Sequence, residues 1–186
     1  MRRLRRLTGP QRAAMCTLSH EILMMSLVGR KDEALAMQRE VYAQEVSLIG
    51  KQDERNLQTA LSLADMLIGN QDFAEALSLL RETIDLSRTV KGPEDSLTFR
   101  LVANYSGGIL AAIKANGTAD ASDIFYAEKL LGENAEKARR ILGPTRGSVI
   151  DMFRNLPVFR KIAAHIRATE TPPYPSEVRF VVSKRT

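Results

Sequence analysis

The chain is poor in the residues on which catalysis and covalent cross-linking most often depend. One residue in 186 is cysteine, Cys16, so no intramolecular disulfide forms and nothing points to an oxidising compartment. His20 and His165 are the only histidines, and with one thiol they make no zinc set. Cys16 and His20 stand four apart on one helix face, yet no third group or oxyanion donor accompanies them. No "GxxxxGK[ST]" phosphate loop occurs. Tryptophan is absent, and strand-type clusters of Val, Ile, Tyr and Phe are missing except near "VRFVV", Val178 to Val182. No apolar run nears the roughly 20 residues that span a bilayer; "ILMMSLV", Ile22 to Val28, is short and lies between charges. These absences predict no catalytic residue, no metal site, no cofactor and no membrane span.

What remains is charge and helix-forming residues. Residues 1–20 hold five arginines and no acid, residues 21–136 are net −8, and residues 137–186 are net +8. An acidic middle between basic ends can steer acidic partners. The Arg-rich start reads as a basic arm over residues 1–12, with a mitochondrial presequence as the alternative. A short helix there breaks at Gly9-Pro10.

The acidic middle repeats itself. "DEALAMQREVYAQEVSLIGKQDER" begins at Asp32, and "AEALSLLRETIDLSRTVKGPEDSL" follows it with a spacing of 42 residues. Glu33, Ala34, Leu35, Arg39, Glu40, Gly50 and Asp53 return as Glu75, Ala76, Leu77, Arg81, Glu82, Gly92 and Asp95. A period of that size marks a stacked repeat. "LQTALSLADMLIG" carries apolar residues at 57, 60, 61, 64, 67 and 68, and "FAEALSLLRETIDLSRTV" at 73, 76, 77, 80 and 84. Both are helical spacings. "NQD" turns the chain between them.

A third unit opens after "KGPEDS", with Ser96 as the predicted cap. Its helices are "LTFRLVANYSGGILAAIKA" and "IFYAEKLLGENAEKARRILG", and Gly107 and Gly108 allow close packing in the first. The spacing from Gly92 to Gly143 is nine residues longer than the earlier period, which places an insertion in the polar loop Asn116 to Asp123. A fourth unit starts at "GPTRGSVIDMFRNL" and should kink or restart at Pro157. "GPTRGS" could hold an anion on free N–H groups, but it is already explained as a linker. The pair Glu94–Asp95 likewise reads as capping. "LMM", Leu23 to Met25, reads as core. The predicted fold is all-α: antiparallel helical hairpins stacked into a right-handed α-solenoid over residues 13–168, with about three and a half repeats and a loosely ordered tail over 169–186.

The pattern resembles the tetratricopeptide repeat (TPR), in the 42-residue variety of kinesin light chains. The linkers "IGKQDERN", "VKGPEDSL" and "LGPTRGSV" match, as do "LSLADML", "VANYSGG" and "FRNLPV" on the first helices and "GRKDEAL", "QDFAEAL" and "IFYAEKL" on the second. The likeness covers residues 15 to about 156. The usual glycine before the second helix survives only as Gly29, and no heptad coiled coil precedes the repeats, so heavy-chain binding is not implied.

The resemblance implies a cytoplasmic adaptor that holds a partner peptide or helix in a concave groove lined by the first helices. The family's groove asparagine falls in phase on His20, Ser62, Asn104 and Asn155. Arg100, and Arg154 nearby, could pair with acidic side chains of the ligand. The same positions also suit ordinary exposed residues or ties between hairpins. The first hairpin has no evident polar cap, which leaves self-association open. The rival reading is RNA or an anionic surface on Lys137, Arg139, Arg140, Arg146, Arg154, Arg160, Lys161 and Arg167. Neither a repeated base-reading position nor interleaved aromatics support nucleic acid.

Overall fold

The computed structural model describes residues 18, 20–169 and 177–179. The basic arm, Cys16 and most of the tail lie outside them. Among the described residues seven helices run in chain order: α1 (residues 20–27), α2 (Lys31–Ile49), α3 (Glu54–Gly69), α4 (Phe73–Val90), α5 (Ser96–Asn116), α6 (Ala121–Leu142) and α7 (Gly147–Thr169). This is an all-α, TPR-like helical repeat fold. Two short strands, β1 (Thr118–Asp120) and β2 (Glu177–Arg179), form one antiparallel ribbon with Ala119 opposite Val178. The chain divides into two compact units, Met1–Val90 and Lys91–Thr186.

The repeated residues explain themselves as helix punctuation. Gly50, Gly92 and Gly143 end three linker-side helices at φ of +84°, +100° and +83°, a conformation that costs other residues about 1 kcal/mol or more. Three residues after the first two stand Asp53 and Asp95, which cap the following helices. Asp53 Oδ1 accepts from the Arg55 N–H at 3.0 Å, and Asp95 Oδ1 accepts from the Leu97 N–H at 2.8 Å. The cap of α5 is therefore Asp95, and Ser96 is its first helical residue. A carboxylate next to free N–H groups outcompetes a hydroxyl one position late.

In the first unit α3 packs against both α2 and α4. Leu35, Leu63, Leu67 and Ala76 form a buried cluster with Tyr42 and Leu79 against it. On the other side, Ile22 of α1 joins Ala34 and Val41 of α2, with Leu18, Met25, Met37 and Met66 packed around them. The expectation that Leu23 to Met25 are core holds only for Met25, which is half-buried. Leu23 and Met24 are 55% and 47% exposed, because Ile22 and Met25 already supply the inward stripe of α1.

In the second unit α5, α6 and α7 pack on one another. Tyr105 meets Tyr126 edge-on at 5.6 Å, and its hydroxyl donates to Asp123 Oδ1 at 2.5 Å. Arg167 of α7 lies over the Phe125 ring at 5.0 Å and reaches Glu128 Oε2 at 2.6 Å. α7 continues through Pro157 without the restart that the sequence allowed. Pro157 lies on the exposed side of the helix, where solvent can satisfy the carbonyl its missing N–H leaves. The predicted polar loop Asn116 to Asp123 is also more ordered than expected. Gly117 closes α5, β1 follows, and Asp120 accepts from the Ser122 N–H at 2.7 Å, drawing the start of α6 back to Ala121.

Candidate functional site

α5 is buried nearly all round. Between Leu97 and Ile113 the only fully exposed residues are Arg100 and Gly107, and half-buried Asn104 lies between them. These three, with half-buried Ala111, fall at i, i+4, i+7 and i+11 and so form one line along the helix. Such a helix is hydrophobic on every side but one. Its open line offers a guanidinium, an amide and a stretch of bare backbone. A Cβ added at Gly107 would meet nothing within 4 Å, so this glycine does not serve close packing within the protein. Gly108 beside it is buried.

The equivalent line on α3 is Gln58, Ser62 and Asp65, all exposed. Ser62 Oγ donates back to the Gln58 carbonyl at 3.2 Å. On α1, His20 is exposed. These positions keep the polar, accessible character that the sequence suggests.

Asn155 differs. It is 7% exposed, and its Nδ2 donates to Ser106 Oγ at 3.0 Å, while Ser106 Oγ donates to the Ala103 carbonyl at 2.8 Å. The amide sits in a tie between α7 and α5, the second of the two roles open to it, and is not presented to solvent. Arg154 is exposed but held by its own helix, Nη2 to Asp151 Oδ1 at 2.9 Å. Arg100 and Asn104 share a line; Arg154 and Asn155 point to different surroundings.

Half of the basic C-terminal set is matched by acids. Lys137 lies 3.8 Å from Glu94, Arg139 2.8 Å from Glu136, Arg154 2.9 Å from Asp151 and Arg167 2.6 Å from Glu128. A phosphate-binding surface built on these four would first have to displace carboxylates.

One feature carries no signal in the sequence. A cleft of about 300 Å³ lies between α2 and α4, walled by Arg39, Tyr42, Glu75 and Glu82 over Leu63. Burial raises the Tyr42 phenol above its ordinary range. The Glu75 carboxylate raises the Arg39 guanidinium in the same direction, mainly through its hydrogen bond. Glu82 does this for Lys51 at 2.6 Å. The cleft's charges are thus already paired. No described helix is long and apolar enough to cross a membrane, and no group of three or more metal-ligating side chains converges among the described residues.

The tetratricopeptide repeat family model matches residues 57–96. That stretch takes in α3 from Leu57 onward, all of α4 and the linker to the start of α5, so the match falls on most of one hairpin and the linker that follows it. Tetratricopeptide repeats are in general protein–protein interaction modules without catalysis. No curated protein matches the chain.

Proposed function

We propose that this protein is a non-catalytic adaptor that holds a partner peptide or helix along the open face of its first helices, in repeats of the kinesin light chain type. The observation that carries the reading is the Arg100–Asn104–Gly107 line. An otherwise buried helix leaves a single polar stripe accessible, and it carries a glycine where alanine would fit. Keeping glycine in a helix interior costs about 1 kcal/mol relative to alanine. A ligand backbone approaching closely at that point gives the glycine a use. Arg100 would engage an acidic side chain of the ligand, and the Asn104 amide its backbone. Ser62 and His20 occupy the matching positions in the first unit. The 42-residue spacing supports the kinesin light chain variety, and such an adaptor would work in the cytoplasm.

The test is affinity capture from cell extract with wild type, Arg100→Ala/Asn104→Ala and Gly107→Arg. An added Cβ at exposed Gly107 meets nothing within 4 Å, and a helix interior favours arginine over glycine, so this variant should fold and melt at or above the wild-type temperature. Loss of the same defined set of proteins by both variants supports the reading. Capture of the wild-type set by both removes it. If the captured material is instead nucleic acid and is lost steeply with added salt, the function moves to Arg140, Arg146, Arg160 and Lys161.

A further inference from the structure

β1 is built at the tip of an elongated hairpin. α5 and α6 hold 21 and 22 residues, against 16 and 18 in α3 and α4. The nine residues by which the spacing from Gly92 to Gly143 exceeds the period thus lengthen each helix by about one turn. Between α3 and α4 the tip is a plain turn of Asn70, Gln71 and Asp72. Between α5 and α6 it is a strand.

That strand is fixed at both ends. Gly117 leaves α5 in the left-handed region, at φ of +72°, with its N–H on the Ile113 carbonyl at 2.8 Å. Asp120 caps α6 through the Ser122 N–H at 2.7 Å. Both helices also rest against β1.

β2 is held differently. Its three residues pair antiparallel with β1, and among the described residues no helix meets β2 to a comparable extent. An isolated two-stranded pairing is marginal in water. The register also sets Glu177 opposite Asp120, an acid opposite an acid. Directly opposed like charges destabilise a strand pair. Asp120 is not free to escape this, because its carboxylate is committed to the start of α6. A fixed strand with a weakly held partner is an acceptor with an exchangeable occupant.

An occupant held by backbone pairing is recognised at the positions its register opposes. Here these include Val178 opposite Ala119 and Glu177 opposite Asp120. A basic residue in the second place would turn repulsion into attraction. We infer that β1 is a strand-acceptor site which β2 fills in cis. An extended segment of a partner protein, with a β-branched residue opposite Ala119 and a lysine or arginine opposite Asp120, displaces the tail. Seven residues separate α7 from β2 in the sequence. So short a tether holds β2 at a local concentration on the order of millimolar. Only a better-matched strand therefore takes its place, and the edge is covered at other times.

The experiment uses the isotopically labelled full chain, as wild type and as Val178→Pro/Arg179→Pro. Pairing N–H groups alternate along a strand, so the double proline removes one whichever of the two residues holds it. The probe is a synthetic peptide copying residues 174–182 and carrying Glu177→Lys, with the unaltered peptide beside it. The backbone amide signals of residues 118–120 report occupation. The tail variant should keep wild-type helicity and exchange those amide protons faster. The lysine peptide should shift the same signals in both proteins, at a concentration about fivefold or more lower in the tail variant. It should bind about two- to fivefold tighter than the unaltered peptide.

The inference is overturned if the peptide leaves residues 118–120 unmoved in the tail variant, if both proteins bind it equally, or if lysine brings no gain. Lost helicity in the tail variant also overturns it, since β2 would then belong to the fold. A wild type that doubles its mass while the tail variant stays monomeric would make a second copy's tail the occupant, and would remove the partner reading. Arg100→Ala/Asn104→Ala should take up the peptide as wild type does, so the α5 line and this site stand or fall separately.

Discussion

Arg39 on α2 and Glu75 on α4 stand 36 residues apart in the chain and meet as a two-pronged pair. Nη2 lies 2.5 Å from Oε2, and Nε lies 3.2 Å from Oε1. Asp72 Oδ2 adds a third acceptor at 3.6 Å. The repeat supplies both acids at this seam: Glu75 and Glu82 are Glu33 and Glu40 one period on, and the cations come from the hairpin before.

The pair's geometry is good, but its side chains are 43% and 51% exposed. Water screens it, so its coupling should be about 0.5 kcal/mol and no more than about 1 kcal/mol. A double-mutant cycle of Arg39→Ala and Glu75→Ala in urea measures it. The coupling should shrink when salt shortens the screening length. A salt-independent value above that range would show that the cleft beside it is drier than its exposure indicates.

Gln71 occupies the turn position that Gly29 holds one period earlier, and both have left-handed backbone, at φ of +67° and +86°. Glutamine pays a steric penalty there that glycine does not. Gln71→Gly should therefore stabilise the protein, by about 0.5–1 kcal/mol, read as a rise in urea midpoint. A drop would mean that the Gln71 side chain contributes more than its backbone strain costs.

The repeat made most of the fold readable. Period and apolar spacing located the helices, and α4 falls on the stretch Phe73 to Val90 that the spacing predicts. Leu77 and Ile68, expected on the apolar faces, are only half-buried, because each sits at the edge of its stripe. The ribbon was not legible. Its strands are three residues each and lie far apart in sequence, so no alternation develops. The division after Val90 was hidden too, since the linker "VKGPEDSL" has the same punctuation as the others. At the site, phase placed Asn104 and Asn155 alike. Partner positions separate them: α5 carries Ser106 where the Asn155 amide arrives, and that pairing spans 49 residues.

The Asn155–Ser106 bond makes a separate prediction. Both residues are buried, at 7% and 0% exposure. Asn155→Ala should lower stability by about 1–2 kcal/mol, from the lost bond and the small void. Asn155→Ala and Ser106→Ala together should cost less than the sum of the two single losses, so that the cycle shows coupling in thermal melts. Partner capture by Asn155→Ala, tested below its melting point, should match wild type. Selective loss of partners without loss of stability would return Asn155 to the ligand-binding surface.

Glu45 gives the first unit a pH-dependent contribution to stability. It is 5% exposed at the meeting of α2 and α3, and its Oε2 has no hydrogen-bond partner. Burial raises its pKa above the ordinary 4.5, outweighing the Thr59 hydrogen bond and the Arg55 charge that lower it, while Asp53 adds to the rise. The folded state thus holds this proton more tightly than the unfolded state. Its contribution to stability is full below the unfolded pKa and is lost as pH climbs from about 4.5 through the raised folded value. Glu45→Gln removes the titration while keeping the shape. The urea midpoint of the variant should overtake wild type as pH rises through that window, and should stay ahead by on the order of 1 kcal/mol at neutrality. All other carboxylates are common to both proteins, so the difference curve isolates this one. A flat difference curve would mean that Arg55 compensates the buried charge in full, and that Glu45 is ionised in the folded protein at no cost.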